Sequence, residues 1–141
     1  MCNLFLRFFV YQVKKEVDMS SDCSSNNGNI MILACSGGSN VGQLSNQTSV
    51  DLTREGFGKM FCLAGIGGSL SGFVQSAKDV DKIIAIDGCK VGCVKAILEN
   101  NGIENKNYLV LTDLDIEKNK NFDLDADELD KVKTKIKQIL A

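Results

Sequence analysis

Three residue types are missing from this chain of 141 residues: it has no histidine, no tryptophan and no proline. Without histidine, Ser–His and Cys–His nucleophile pairs and imidazole ligation of metals are excluded within the chain. A tightly held soft metal would have to be taken by cysteine, with a carboxylate as the remaining option. A large charge of either sign is missing too: the formal net charge is -2 and no basic patch stands out, which argues against nucleic acid as the main partner. Long apolar runs are also absent. The stretch from Leu4 to Val10 is too short to span a bilayer and contains Arg7. No cationic segment precedes it and no small-residue cleavage site follows it, so neither a secretory signal nor a membrane is expected, and the cytoplasm is the expected location.

What the chain does have is cysteine, at positions 2, 23, 35, 62, 89 and 93. In a reducing compartment, unpaired cysteines at regular spacing point to a metal or redox site more than to a disulfide scaffold. The apolar fraction of 44% is enough for one ordinary domain with a real core. Residues 1–29 read as an N-terminal extension and linker. An apolar, aromatic segment from Leu4 to Val13 gives way to the polar SSDCSSNNGN, and Met19 would serve as an alternative start. The domain proper is expected over 30–141.

From Ile30 the pattern is regular. The run IMILA (30–34) is continuously apolar, as a strand buried on both faces must be. A helix is expected over 41–54, with Ser39 or Asn40 as N-cap and Gly56 beyond its end. A second strand is expected over 59–64, and then a helix over 70–80 with Leu70, Phe73, Val74 and Ala77 on one face. KIIAID (82–87) reads as the third strand. Gly88-Cys89 is expected to open the next helix, which would run to Asn101 and stop at Gly102. Residues 108–112 read as the fourth strand, and 125–140 as a final helix whose acidic first turn and basic end suit the helix dipole. Alternation of this kind predicts an α/β fold in three layers, with a mainly parallel sheet of about four strands and helices on both faces.

In such a fold the C-terminal strand ends share one edge, where loops and helix N-termini meet and ligands bind. Cys35 falls at the end of the first strand, Cys62 near the end of the second, and Cys89 just after the third. Cys93 follows one helical turn later, on the same side as Cys89 if the helix begins there. A free cysteine is also simply a small buried hydrophobe, and Cys2 and Cys23 read that way. Four cysteines gathered at one edge favour a shared site.

Two glycine-rich loops border this edge. In Ser36-Gly37-Gly38-Ser39-Asn40, backbone amides at a helix N-terminus are able to cradle an anion or screen a thiolate. Glycine there is equally explained by a tight strand-to-helix turn. Known phosphate motifs do not fit. Walker A needs Lys and then Ser/Thr where Gln43-Leu44 stand. Gly65-Ile66-Gly67-Gly68 has Leu70 where the dinucleotide fingerprint has its third glycine. A Cys-x5-Arg phosphatase loop would need Arg at Val41.

The segments CSGGSNVGQLSNQ (35–47), CLAGIGG (62–68) and AIDGCKVGCVKAILE (85–99) resemble the DGC-domain family, named for the motif seen here as Asp87-Gly88-Cys89. The family is described as zinc-binding and has no settled biochemical activity. The resemblance covers about residues 30–118. It implies that Cys35, Cys62, Cys89 and Cys93 chelate zinc, and that LTDLDIEK (111–118), with Thr112 and Asp113, lies on the same edge. It would put glycine where Asp115 stands.

The expected function is therefore zinc binding by Cys35, Cys62, Cys89 and Cys93 in a structural or metal-handling role, with the oligomeric state open. Ser36, Gly37, Ser39, Asn40, Asp87, Thr112 and Asp113 would form the surrounding shell or a substrate edge. The alternative is a metal- or thiol-dependent enzyme, hydrolytic or redox, with Cys35 or Asp87 as the reactive group. Asp87 and Asp113 are also ordinary turn or capping residues.

Overall fold

The computed structural model describes residues 29–105 and 107–141; all but the last residue of the extension, with its cysteines at 2 and 23, lies outside the described residues. Four parallel strands, β1 (Ile30–Ala34), β2 (Lys59–Met60), β3 (Lys82–Asp87) and β4 (Asn107–Val110), form one sheet in the order β2-β1-β3-β4. The helices are α1 (Asn40–Arg54), α2 (Leu63–Gly67), α3 (Ser71–Asp79), α4 (Cys93–Asn100) and α5 (Ala126–Leu140), and a 3-10 turn covers Leu111–Leu114. Among the described residues, no helix is long and apolar enough to cross a membrane.

Strand alternation sorts the core into two halves, because successive side chains leave a strand on opposite faces. Ile30, Ile32, Ile84 and Ile86 point to the side covered by α1 and α5, where they meet Leu44, Leu52, Val132 and Ile136. Met31, Leu33, Ile83 and Ala85 point to the side covered by α2, α3 and α4, against Ile66, Ala77, Val94 and Leu98. The two central strands are buried on both faces, hence their unbroken apolar sequences. This is the expected three-layer α/β fold, and the strand order adds what periodicity could not supply. The chain leaves β1 toward β2 on one side and leaves β3 toward β4 on the other, so the connections diverge between β1 and β3. In parallel α/β folds such a divergence marks the place, at the carboxyl ends of these two strands, where a ligand crevice forms.

Several boundaries differ from expectation. The second strand stops at Met60. Phe61 still donates its N–H to Ile32 O (3.0 Å), but from Leu63 the chain is helical and buries Ile66. The segment CLAGIGG is therefore a helix N-cap and a short helix, not a strand and a glycine loop. Leu70 precedes α3 as its N-cap and is exposed rather than part of the buried face. The fourth strand ends at Val110 and passes into the 3-10 turn. The largest correction lies after β3. Residues 88–92 form a turn, and α4 begins only at Cys93. Gly92 sits at φ 70°, in the left-handed region that glycine enters without strain, and so delays the helix. Cys89 and Cys93 are therefore not on one helical face.

Candidate metal centre

The crevice is built from the backbone outward. Cys35 immediately follows β1, and its N–H still donates to Ile86 O across the pair (2.9 Å). Its own carbonyl accepts from the buried Ser45 hydroxyl of α1. One strand over, Asp87 ends β3. Its buried carboxylate accepts from the first amides of α4, Val94 N at 2.9 Å and Lys95 N at 3.1 Å, and from the Tyr108 hydroxyl at 3.0 Å. Gly92 offers no side-chain cap of its own, so the cap comes from a strand-end carboxylate, and the negative charge sits at the positive end of the helix dipole. This fixes the start of α4, and Cys93 with it. The Cys35 Sγ, the Cys93 Sγ and an Asp87 carboxylate oxygen all lie within 4.8 Å of one another.

Electrostatics of the cleft follow from this crowding. Partial desolvation raises the Cys93 thiol above its ordinary pKa, and the neighbouring Cys35, Asp87 and Cys89 raise it further. Burial holds the Tyr108 hydroxyl in its protonated state well above the usual range, and the hydrogen bond to Asp87 adds to it. Tyr108 is therefore a donor to Asp87 at all ordinary pH values.

The other expected site residues take identifiable places. Cys62 is exposed at the N-cap of α2, at the carboxyl end of β2. Cys89 is half-buried in the 88–92 turn, with Lys118 Nζ 3.3 Å from its sulfur. Neither belongs to the 4.8 Å group. Gly37 borders Cys35, since a Cβ there would stand 3.6 Å from the sulfur. The carbonyls of Ser36 and Gly37 accept from the Gln43 side chain. Ser39 caps α1 by accepting from Gly42 N. Asn40 clamps the segment after the 3-10 turn, donating to Glu117 O (2.8 Å) and accepting from Asn119 N (2.7 Å). Asp113 pairs with Lys90 at 3.4 Å, tying the 88–92 turn to the 3-10 turn. The hydroxyl of Thr112 is buried without a hydrogen-bond partner.

Gly88 explains why the Asp-Gly-Cys sequence needs its middle residue. A Cβ there would lie 2.8 Å from the carbonyl carbon and oxygen of Val41, in the first turn of α1. Only glycine lets the exit of β3 pass this close, and that approach brings the two sides of the crevice together. Asp115 stands at φ 57°, a left-handed position that suits glycine and that Asp tolerates better than most residues.

Tyr108, Ser45 and Lys118 were not singled out as site residues by sequence reasoning. Tyr108 read as a strand residue. Its reach to Asp87 depends on the register that sets Tyr108 beside Ala85, which the sequence does not carry. Ser45 had a weak local signal, a hydroxyl ten residues after Cys35 on the face of α1 that meets the sheet.

A doubly wound parallel domain with two thiols and a buried carboxylate gathered at its switch point is, as a class, an α/β domain with a candidate metal centre. The chain matches the DGC domain over residues 31–136 and belongs to that family. It is similar to the "Anaerobic and virulence modulator AnvM" of Pseudomonas aeruginosa strain PAO1, with 32% identity over 110 residues that cover 78% of this chain and 84% of the relative. No solved structure matches it.

Proposed function

We propose that this domain binds a zinc ion in the β1/β3 crevice, with Cys35 and Cys93 as its central ligands. The observation that carries the reading is the mutual approach of two sulfurs and a carboxylate oxygen within 4.8 Å. Tetrahedral zinc with Zn–S bonds of about 2.3 Å sets its sulfurs about 3.8 Å apart, so side-chain rotation alone brings the pair to ligand spacing. A cation also relieves the mutual repulsion of groups that crowd as anions. Cys62 and Cys89, at the same sheet edge, are the candidates to complete the shell, as in the four-cysteine reading. The Asp87 carboxylate already accepts three hydrogen bonds and has about one lone-pair site left. This supports a role in orienting Cys93, and it counts against Asp87 as a general base in the enzymatic alternative.

The test is metal analysis of anaerobically purified protein, wild type and with single Ser replacements at Cys35, Cys62, Cys89 and Cys93. About one zinc per chain is expected, lost on Cys35→Ser and on Cys93→Ser. Retention at Cys62→Ser or Cys89→Ser removes that cysteine from the shell. Full zinc retention in both Cys35→Ser and Cys93→Ser overturns the assignment.

A further inference from the structure

We propose that Cys35 and Cys93 are a redox pair that closes into a disulfide when the metal is absent, so that oxidation and metal loading of the crevice exclude one another. The inference rests on the metal reading above for its second half, and on geometry alone for its first. Both cysteines are held by successive residues of one strand: Cys35 by its N–H to Ile86 O, and the start of α4 by the Asp87 carboxylate. Their sulfurs lie within 4.8 Å of each other. Cys93 is exposed and Cys35 half-buried, so a small oxidant has access to the pair. Cys62 is also exposed but stands outside this group, and Cys89 faces the ammonium of Lys118 instead.

With a peroxide as oxidant the chemistry balances. One thiolate attacks a peroxide oxygen, the O–O bond breaks, and a sulfenic acid and hydroxide (water, once protonated) result. The second thiolate attacks the sulfenic sulfur, the S–O bond breaks and a second hydroxide leaves, protonated to water. The two thiols lose two protons and two electrons in all, the peroxide is reduced to two waters, and a dithiol reductant reverses the change. A zinc ion holding both sulfurs blocks the second attack. A closed disulfide leaves neither sulfur as a thiolate ligand.

The experiment uses the full chain, reduced and freed of metal by a chelator, then treated with hydrogen peroxide and mapped as non-reduced peptides by mass spectrometry. A Cys35–Cys93 cross-link is expected. It should be reversed by dithiothreitol, retained in Cys62→Ser and Cys89→Ser, and absent in Cys35→Ser. Prior loading with zinc should slow its formation by about tenfold or more, and the oxidised protein should take up zinc only after reduction. A dominant cross-link to Cys62 or Cys89 overturns the pairing, as does over-oxidation of Cys35 and Cys93 without any cross-link. Stoichiometric zinc with no cross-link in the metal-free chain overturns the redox pair and leaves the metal reading standing. A cross-link that zinc neither slows nor competes with overturns the coupling, and the metal reading of these two thiols with it.

Discussion

Replacing Asp87 with Asn changes almost no volume and tests whether a strand-end carboxylate organises the crevice. Asp87 accepts three hydrogen bonds, from Val94 N, Lys95 N and the Tyr108 hydroxyl. An amide keeps the first through its oxygen, and the Tyr108 hydroxyl can turn to accept from its NH2. The bond to Lys95 N has no replacement, and the charge facing the helix dipole is gone. A hydrogen bond to a charged group is worth about 1.5–3 kcal/mol, and the charge at a partly buried helix terminus up to about 2. Exposure of Lys95 N to water returns part of that loss, so Asp87→Asn should cost about 2–3 kcal/mol. Urea denaturation of the metal-free protein should show a midpoint lower by roughly 1–2 M with an unchanged slope. Zinc affinity, read by competition with a chromophoric chelator, should fall by about 10–100-fold, as for loss of a group that orients a ligand. Tyr108→Phe should cost about 1 kcal/mol in the parent, and less in the Asp87→Asn background, since the two side chains share one bond. A stability within about 0.5 kcal/mol of the parent would refute the capping argument. Unchanged zinc affinity alongside the lost stability would refute the claim that the cap positions Cys93.

Three further outcomes are expected. Gly88→Ala forces a Cβ to 2.8 Å from the Val41 backbone; it should cost about 2–3 kcal/mol in a thermal or urea melt and lower zinc uptake as the crevice spreads. At Asp115, φ 57° predicts opposite responses: Asp115→Gly should be tolerated within about 0.5 kcal/mol and Asp115→Val should cost about 1–2 kcal/mol, both measurable by urea midpoint. The Lys137 ammonium, hydrogen-bonded to Glu55, holds that carboxyl below its usual range, helped by Lys133 and opposed by slight desolvation. A depressed folded pKa gives stability that is present above the unfolded value, about 4.3, and lost as pH falls through the folded one. Because the pair is largely exposed, Glu55→Gln should cost only about 0.5 kcal/mol at neutral pH. That cost should shrink in melts as the pH falls below the unfolded value and vanish once the folded carboxyl is protonated as well.

Much of this fold was legible because β1 and β3 are buried on both faces and say so in unbroken apolar runs. The α1 cap, expected at Ser39 or Asn40 and found at Ser39, was legible for a different reason: the side chain that satisfies the helix lies beside it in sequence. At α4 the reverse holds. Its cap is Asp87, seven residues before Val94 and on a strand, so local reading started the helix four residues early. The segment KMFCLA misled because a short apolar run suits a strand and a buried helix alike. At the site, the strand-end rule brought Cys35 and Cys93 to one edge. Strand order decided which edge residues meet: β1 and β3 are neighbours, while β2 lies beyond β1. Cys62 stands apart from the central group on that side.

The anchoring of both thiols to Ile86 and Asp87 means that the gap between them is measured out along a single stretch of β3. Fraying at the far end of α4 leaves that measure intact, because Cys93 belongs to the helix's first turn, which the Asp87 carboxylate caps. The Cys35 amide, bonded to Ile86 O, continues the β1–β3 pairing one residue beyond the end of β1. The proposed metal would therefore meet a spacing that the sheet has already set.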